Sequence, residues 1–193
     1  LTLLSLGGNA LSGVLPSNIN GMAAMKVLHL SGNDFHGLLP DLNMPELRDL
    51  ALRDNRFDGP VKDQYGNLGS LKQIDLCNNR LTGTLPVGWG NAGQFGDRAV
   101  SVFLCNNDLH GTIDSQWATS FHDLEDLDLS GNRLSGVLPV EWGTNLAKLQ
   151  LLNLSRNSFH GDLEPGYASM SNLVTLDVSH NLLDGPVDYG FEY

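Results

Sequence analysis

The chain has little of several things, and each shortage narrows what it does. Two cysteines in 193 residues, Cys77 and Cys105, cannot build a disulfide framework, and they leave the redox compartment open. Aromatics make up only 7% of the residues, so any core is filled mainly by aliphatic side chains. Basic residues are scarce: 11 Lys and Arg stand against 22 Asp and Glu, for a net charge of −11. Nucleic acid and anionic membrane are therefore poor partners for the bulk surface, whereas a basic partner is favoured. Apolar runs extend only a few residues, well short of the roughly 20 that span a bilayer, so no direct membrane insertion is expected. No secretory leader is visible either, because the opening residues already belong to a repeat. What is plentiful is glycine, 22 residues, beside 41% hydrophobic and 17% charged residues. That mixture describes an ordered chain with many tight turns.

Self-similarity decides the architecture. A block of the form L-x-x-L-x-L-x-x-N-x-L-x-G-x-L-P recurs along the whole chain. Its first copy runs from Leu1 through Leu4, Leu6, Asn9, Leu11, Gly13 and Leu15 to Pro16. Later copies are centred on Asn33, Asn55, Asn79, Asn107, Asn132, Asn157 and Asn181. Successive asparagines are separated by 24, 22, 24, 28, 25, 25 and 24 residues, so residues 1–193 form one domain of eight repeats.

Each repeated position has a physical reading. Leucines one residue apart, as in Leu28 and Leu30, make a strand with one apolar face, and stacked copies make a parallel sheet. One repeat cannot bury its leucines alone, but neighbours bury them for each other. The asparagine follows the strand, and its amide both donates and accepts, so a stacked ladder can satisfy turn backbone inside the solenoid. The glycine permits a tight turn, and the proline after it ends strand pairing. Four residues past the Leu, Val or Ile that follows the glycine stand Ile19, Tyr65, Trp89, Trp117, Trp142, Tyr167 and Phe191. Recurrence at the repeat period marks these as a core column rather than a ligand platform.

The G-x-L-P continuation resembles the plant-type leucine-rich repeats of receptor-like kinases and receptor-like proteins, over essentially the whole chain. The L-P-x-x-W form, at Leu85-Pro86 to Trp89 and Leu138-Pro139 to Trp142, is also similar to repeats in surface proteins of unicellular eukaryotes. The resemblance implies a right-handed curved solenoid. The parallel sheet lies on its concave face, short second strands follow, and turns and short helical segments form the convex side. It also implies non-catalytic recognition of a protein or peptide, usually outside the cell. The paired-cysteine caps of the plant receptors are absent at both ends. The expectation is a segment of a longer protein, or ends that pack on other domains or subunits. The competing reading is a scaffold segment in a large intracellular or organellar assembly.

Candidate binding residues follow from strand alternation. Asp49, Asp75, Asp126, Asp128 and Asp177 point outward and form an acidic stripe, interrupted by Phe103. This is read as a concave site for a basic peptide or protein, with Phe103 as apolar anchor; the alternative is a solvated face whose charges prevent sheet aggregation. The carboxylates recur with the repeat and a regular curved sheet supplies no pocket, so no catalytic residue is assigned. No cofactor is expected. Cys77 and Cys105 occupy the same place in consecutive repeats, which allows either a cross-repeat disulfide or two stacked thiols, and no metal site. Asn153-Leu154-Ser155 is an N-glycosylation sequon, and a glycan there would stand on the concave face. Finally, residues 88–98 form a glycine-rich irregularity that accounts for the 28-residue spacing and is read as a convex bulge.

Overall fold

The computed structural model describes residues 1–91 and 95–186. Each repeat contributes a three-residue strand: Leu3–Ser5, Val27–His29, Asp49–Ala51, Gln73–Asp75, Ser101–Phe103, Asp126–Asp128, Leu151–Asn153 and Thr175–Asp177. These pair in chain order, all parallel, into one eight-stranded sheet. The register places the middle residues side by side: Leu4, Leu28, Leu50, Ile74, Val102, Leu127, Leu152 and Leu176. From Leu28 to Leu152 this row is buried, while the residues flanking it are mostly part-exposed. One-sided burial of that kind is what L-x-L alternation dictates.

Short second strands make two further parallel sheets of four strands each. One comprises Ser12–Gly13, Asp34–Leu38, Arg56–Pro60 and Arg80–Thr82; the other His110–Gly111, Arg133–Gly136, Ser158–Gly161 and Leu182–Leu183. Two backbone hydrogen bonds still cross the gap between them, from the N–H of Asp108 to Leu81 O at 2.8 Å and from His110 to Gly83 O at 2.9 Å. The repeat glycine is required here. Gly136 has φ 92°, and a Cβ on it would lie 2.9 Å from Thr112 Cγ2 of the preceding repeat.

The asparagines form the ladder that the repeat implies. Asn107 donates from Nδ2 to the carbonyls of Leu76, Leu104 and Cys105, each at 3.1 Å, and accepts from the N–H of Leu81 at 3.0 Å. Asn55, Asn79, Asn132, Asn157 and Asn181 repeat this pattern one step along. The ladder therefore ties each repeat to its predecessor through backbone that the strand leaves unpaired.

Immediately before each ladder asparagine the backbone is left-handed, at Gly8, Gly32, Asp54, Asn78, Asn106, Gly131, Arg156 and His180, with φ from 52° to 68°. Six of these eight are Gly, Asn or Asp, the residues that tolerate that region best. Arg156 and His180 adopt it because the repeat geometry holds them there.

The convex side carries short helical turns, among them Ser17–Gly21, Asp63–Asn67, Val87–Gly90, Ser115–Thr119, Trp142–Asn145 and Pro165–Ser169. Beneath them Ile19, Tyr65, Trp89, Trp117, Trp142 and Tyr167 are all buried, as a core column should be; Phe191 lies outside the described residues. Each aromatic also hydrogen-bonds back to an earlier repeat. Tyr65 donates its hydroxyl to Pro40 O at 2.7 Å, Trp89 Nε1 to Lys62 O at 3.1 Å, and Trp117 Nε1 to Pro86 O at 2.8 Å. Trp142 Nε1 reaches Trp117 O at 3.3 Å and the Tyr167 hydroxyl reaches Pro139 O at 2.9 Å. Burial pushes both tyrosine hydroxyls well above their ordinary pKa, so they stay neutral donors.

The irregular segment does more than bulge. A turn at Phe95–Asp97 buries Phe95 completely. Its ring packs edge-on against Trp89, with centroids 5.2 Å apart, and against Phe121 at 6.3 Å. Phe121 in turn lies 4.7 Å from Trp117. The longest repeat thus uses its extra residues to thicken the core.

Candidate functional site

Strand residues on either side of the buried row make the outward surface. At its centre, repeats two to six enclose a shallow depression of about 410 Å³ lined by His29, Asp49, Ala51, Gln73, Asp75, Ser101, Phe103 and Asp126. Parallel pairing puts Asp75 beside Phe103 and Phe103 beside Asp128, so the aromatic ring stands between two carboxylates. Phe103 is part-buried, with its neighbours Val102 and Leu104 in the core. Of the six residues read from the sequence as the binding stripe, the fold brings Asp49, Asp75, Phe103 and Asp126 to this depression. Asp128 is next to it, and Asp177 lies two strands beyond Asp128.

The carboxylates are not equivalent. Asp49 is hydrogen-bonded to His29 Nε2 at 2.8 Å. Asp75 has Arg53 Nη1 at 3.5 Å. Asp126 and Asp128 have neutral partners instead: Ser101 Oγ donates to Asp126 at 3.0 Å and Asn153 Nδ2 to Asp128 at 3.3 Å.

A second role, missed by reading outward positions alone, belongs to the last strand residue. Asp75, Asp128, Asn153 and Asp177 each accept the N–H two residues ahead, from Cys77 at 3.0 Å, Ser130 at 2.9 Å, Ser155 at 3.2 Å and Ser179 at 2.9 Å. This is an Asx turn that closes the strand exit. Part of the acidic stripe is therefore structural, and the Asp/Asn-x-Ser pattern at Asp128, Asn153 and Asp177 was its visible signal.

Local environment separates the carboxyls further. Burial raises the Asp75 carboxyl above the usual carboxylate range, and the Cys77 N–H and Arg53 only partly offset it. The Asp177 carboxyl is held below that range by the hydroxyl and then the N–H of Ser179.

Cys77 and Cys105 are joined as a disulfide between consecutive repeats, with Cα atoms 4.5 Å apart. The bond sits at the strand exit beside the Asp75 turn and spans the longest repeat. Asn153 is part-exposed on the seventh strand, and Ser155 Oγ donates to its Oδ1 at 2.8 Å.

Comparison with known proteins agrees with this geometry. Family models described as leucine rich repeat match residues 98–159, and residues 1–22 and 70–92. Receptor-like protein 43 of Arabidopsis thaliana is 35% identical over 88 residues, which cover 45% of this chain and 12% of that protein. The plant peptide hormone receptor RGFR1, solved in complex with RGF2, superposes with a TM-score of 0.88 at 30% identity, over 95% of this chain and 29% of the receptor. A plant ice-binding protein superposes with a TM-score of 0.82 at 30% identity, over 94% of this chain and 56% of that one. The chain thus spans about a tenth of the length of the curated relatives it matches and less than two thirds of that of the solved structures. Among the described residues no helix is long and apolar enough to cross a membrane. Repeat motif, parallel topology and relatives converge: the chain belongs to the leucine-rich-repeat proteins, with repeats of the plant receptor type.

Proposed function

We propose that this solenoid is a non-catalytic recognition surface for a protein or peptide, in a receptor-like protein at the cell surface or outside the cell. The observation that carries the reading is the depression around Phe103, where Asp126 and Asp128 stand beside an aromatic ring with only neutral partners. An apolar anchor flanked by charges free of internal ion pairs suits a ligand that brings its own cations. The plant peptide hormone receptor of the same fold, solved in complex with RGF2, supports a peptide as the ligand class. A bonded Cys77–Cys105 pair fits an oxidising compartment. A glycan at Asn153 would stand on the seventh strand and confine the ligand to the repeats before it.

A second reading, a scaffold segment in a multi-protein assembly, draws on the side of the solenoid, where Val14, Leu38 and Val137 are exposed at 63, 55 and 63%.

The test uses a fluorescently labelled lysine-rich peptide carrying one central leucine. The double substitution Asp126→Asn and Asp128→Asn keeps the turn-closing oxygen and removes both charges. We expect it to weaken binding by about tenfold or more, with most of the loss in a faster off-rate. Affinity unchanged by it, and by Phe103→Ala, would end the acidic-face reading.

A further inference from the structure

Scarcity makes the placement of the cations informative. Of the eleven Lys and Arg residues, Arg53, Arg56, Lys62, Arg133 and Lys148 each have a carboxylate within the 4.0 Å of an ion pair. Three of the others, Lys26, Arg48 and Lys72, share one column: they immediately precede the strands of repeats two, three and four. All three are exposed, and none has an ion-pair partner among the described residues. Asp123, whose charge acts on Lys72, is itself bonded to Lys148 at 2.7 Å.

Backbone hydrogen bonds lock the column in step. Arg48 N–H donates to Lys26 O at 2.8 Å and Lys72 N–H to Arg48 O at 2.9 Å. The three side chains therefore start about 4.8 Å apart, the spacing of neighbouring strands. Adjacent like charges at that spacing repel one another, an arrangement that makes physical sense where an anionic partner supplies the missing charge.

The same column changes sign along the solenoid. It continues as Val100 and then Glu125, next to Asp126, while Asp128 ends the same strand. In the first half, Asp49 is hydrogen-bonded to His29, and Asp75 lies 3.5 Å from Arg53, which also pairs with Asp54 at 2.9 Å; the lysine–arginine column supplies the cations there that have no ion-pair partner among the described residues. In the second half the uncompensated charge is negative. Phe103 lies between the halves, on the strand joining Gln73–Asp75 to Asp126–Asp128.

We infer that the surface takes a bipolar peptide: an acidic segment over Lys26, Arg48 and Lys72, an apolar side chain at Phe103, and a basic segment over Asp126 and Asp128. This rests on the reading of the concave sheet as a peptide site. From repeat three to repeat six is three strand steps, roughly 14 Å, which an extended peptide covers in about four residues. The two charged segments are therefore separated by a short linker.

The experiment compares three labelled peptides by fluorescence anisotropy at low and high salt. One carries three glutamates, a short glycine linker with a central leucine, and three lysines. The second has the same composition with the charges alternating, and the third replaces the glutamates by lysines. The expected result is that the charge-separated peptide binds about tenfold tighter than the alternating one, that added salt weakens it, and that the triple substitution Lys26→Glu, Arg48→Glu, Lys72→Glu removes the difference. If the all-lysine peptide binds as well as the bipolar one, and the triple variant leaves the bipolar peptide unaffected, the bipolar inference is overturned while the acidic-face reading stands. If none of the three binds up to about 1 mM, a free energy near −4 kcal/mol, both readings are overturned. Circular dichroism of the triple variant, expected to match the parent because all three side chains are exposed, separates lost charge from lost fold.

Discussion

The inside and the outer face of the same strands obey opposite rules. Along the interior, each column repeats one residue type: aliphatic at Leu28, Leu50, Ile74, Leu127 and Leu152, asparagine in the ladder, aromatic from Tyr65 to Tyr167. Along the outer face the residue changes at nearly every step, from His29 to Ala51, Asp75, Phe103, Asp128 and Asn153. Interior positions are constrained because each must fill the same space and meet the same backbone atoms in every repeat. Outer positions meet solvent or a ligand, so they vary without disturbing the stack. The difference teaches where to look in such a chain: period specifies the fold, and departure from period specifies recognition.

The comparison is most sharply broken from inside. Trp117→Ala removes the ring that packs on both Trp89 and Phe121 and the donor to Pro86 O. It should cost about 3–5 kcal/mol, read from chemical denaturation. A loss as small as that of an outer substitution would mean that the column is not a continuous core. Next in size is the bond between repeats four and five. Cys77→Ser with Cys105→Ser opens a link across 28 residues of sequence and should lower stability by about 2–4 kcal/mol. The parent should lose a similar amount on reduction, and the double variant nothing.

The smallest effect comes from the outer face and carries a sign. Because burial raises the Asp75 carboxyl, the folded protein holds that proton to higher pH than the unfolded chain. Its ionisation therefore subtracts stability as pH rises through the raised value, and the cost is full at neutral pH. Asp75→Asn should stabilise the protein at pH 7 by under about 1 kcal/mol, with the gain fading as pH falls toward the unfolded carboxylate range. Asn153, which makes the same turn contact to Ser155, shows that an amide serves at this position. Asp177 behaves oppositely, since its lowered value contributes stability at neutral pH that is lost on acidification.

Much of this was legible beforehand because translation along a solenoid converts sequence period into spatial neighbourhood. The strands, the ladder and the aromatic column each need only the spacing between like residues. The outward stripe was legible as a set of positions, but the pairing of its charges was not. His29 reaches Asp49 on the next strand and Arg53 reaches Asp75 of the next repeat, and alternation within one repeat says nothing about such contacts. The column of Lys26, Arg48 and Lys72 escaped notice for a related reason. It precedes the strand residues, outside the alternating segment from which the outer face was read.

By itself, then, the sequence determined a stacked parallel solenoid, because one template repeated eight times buries the strand leucines of the inner repeats against one another and pairs the ladder asparagines with neighbouring backbone. Tertiary structure alone decided which carboxylates lie beside a histidine or an arginine and which stand near Phe103 with only neutral partners. It also decided that the extra residues of the longest repeat bury Phe95. Those outcomes depend on side chains from different repeats meeting in space, where distance and burial, rather than spacing along the chain, set the energy.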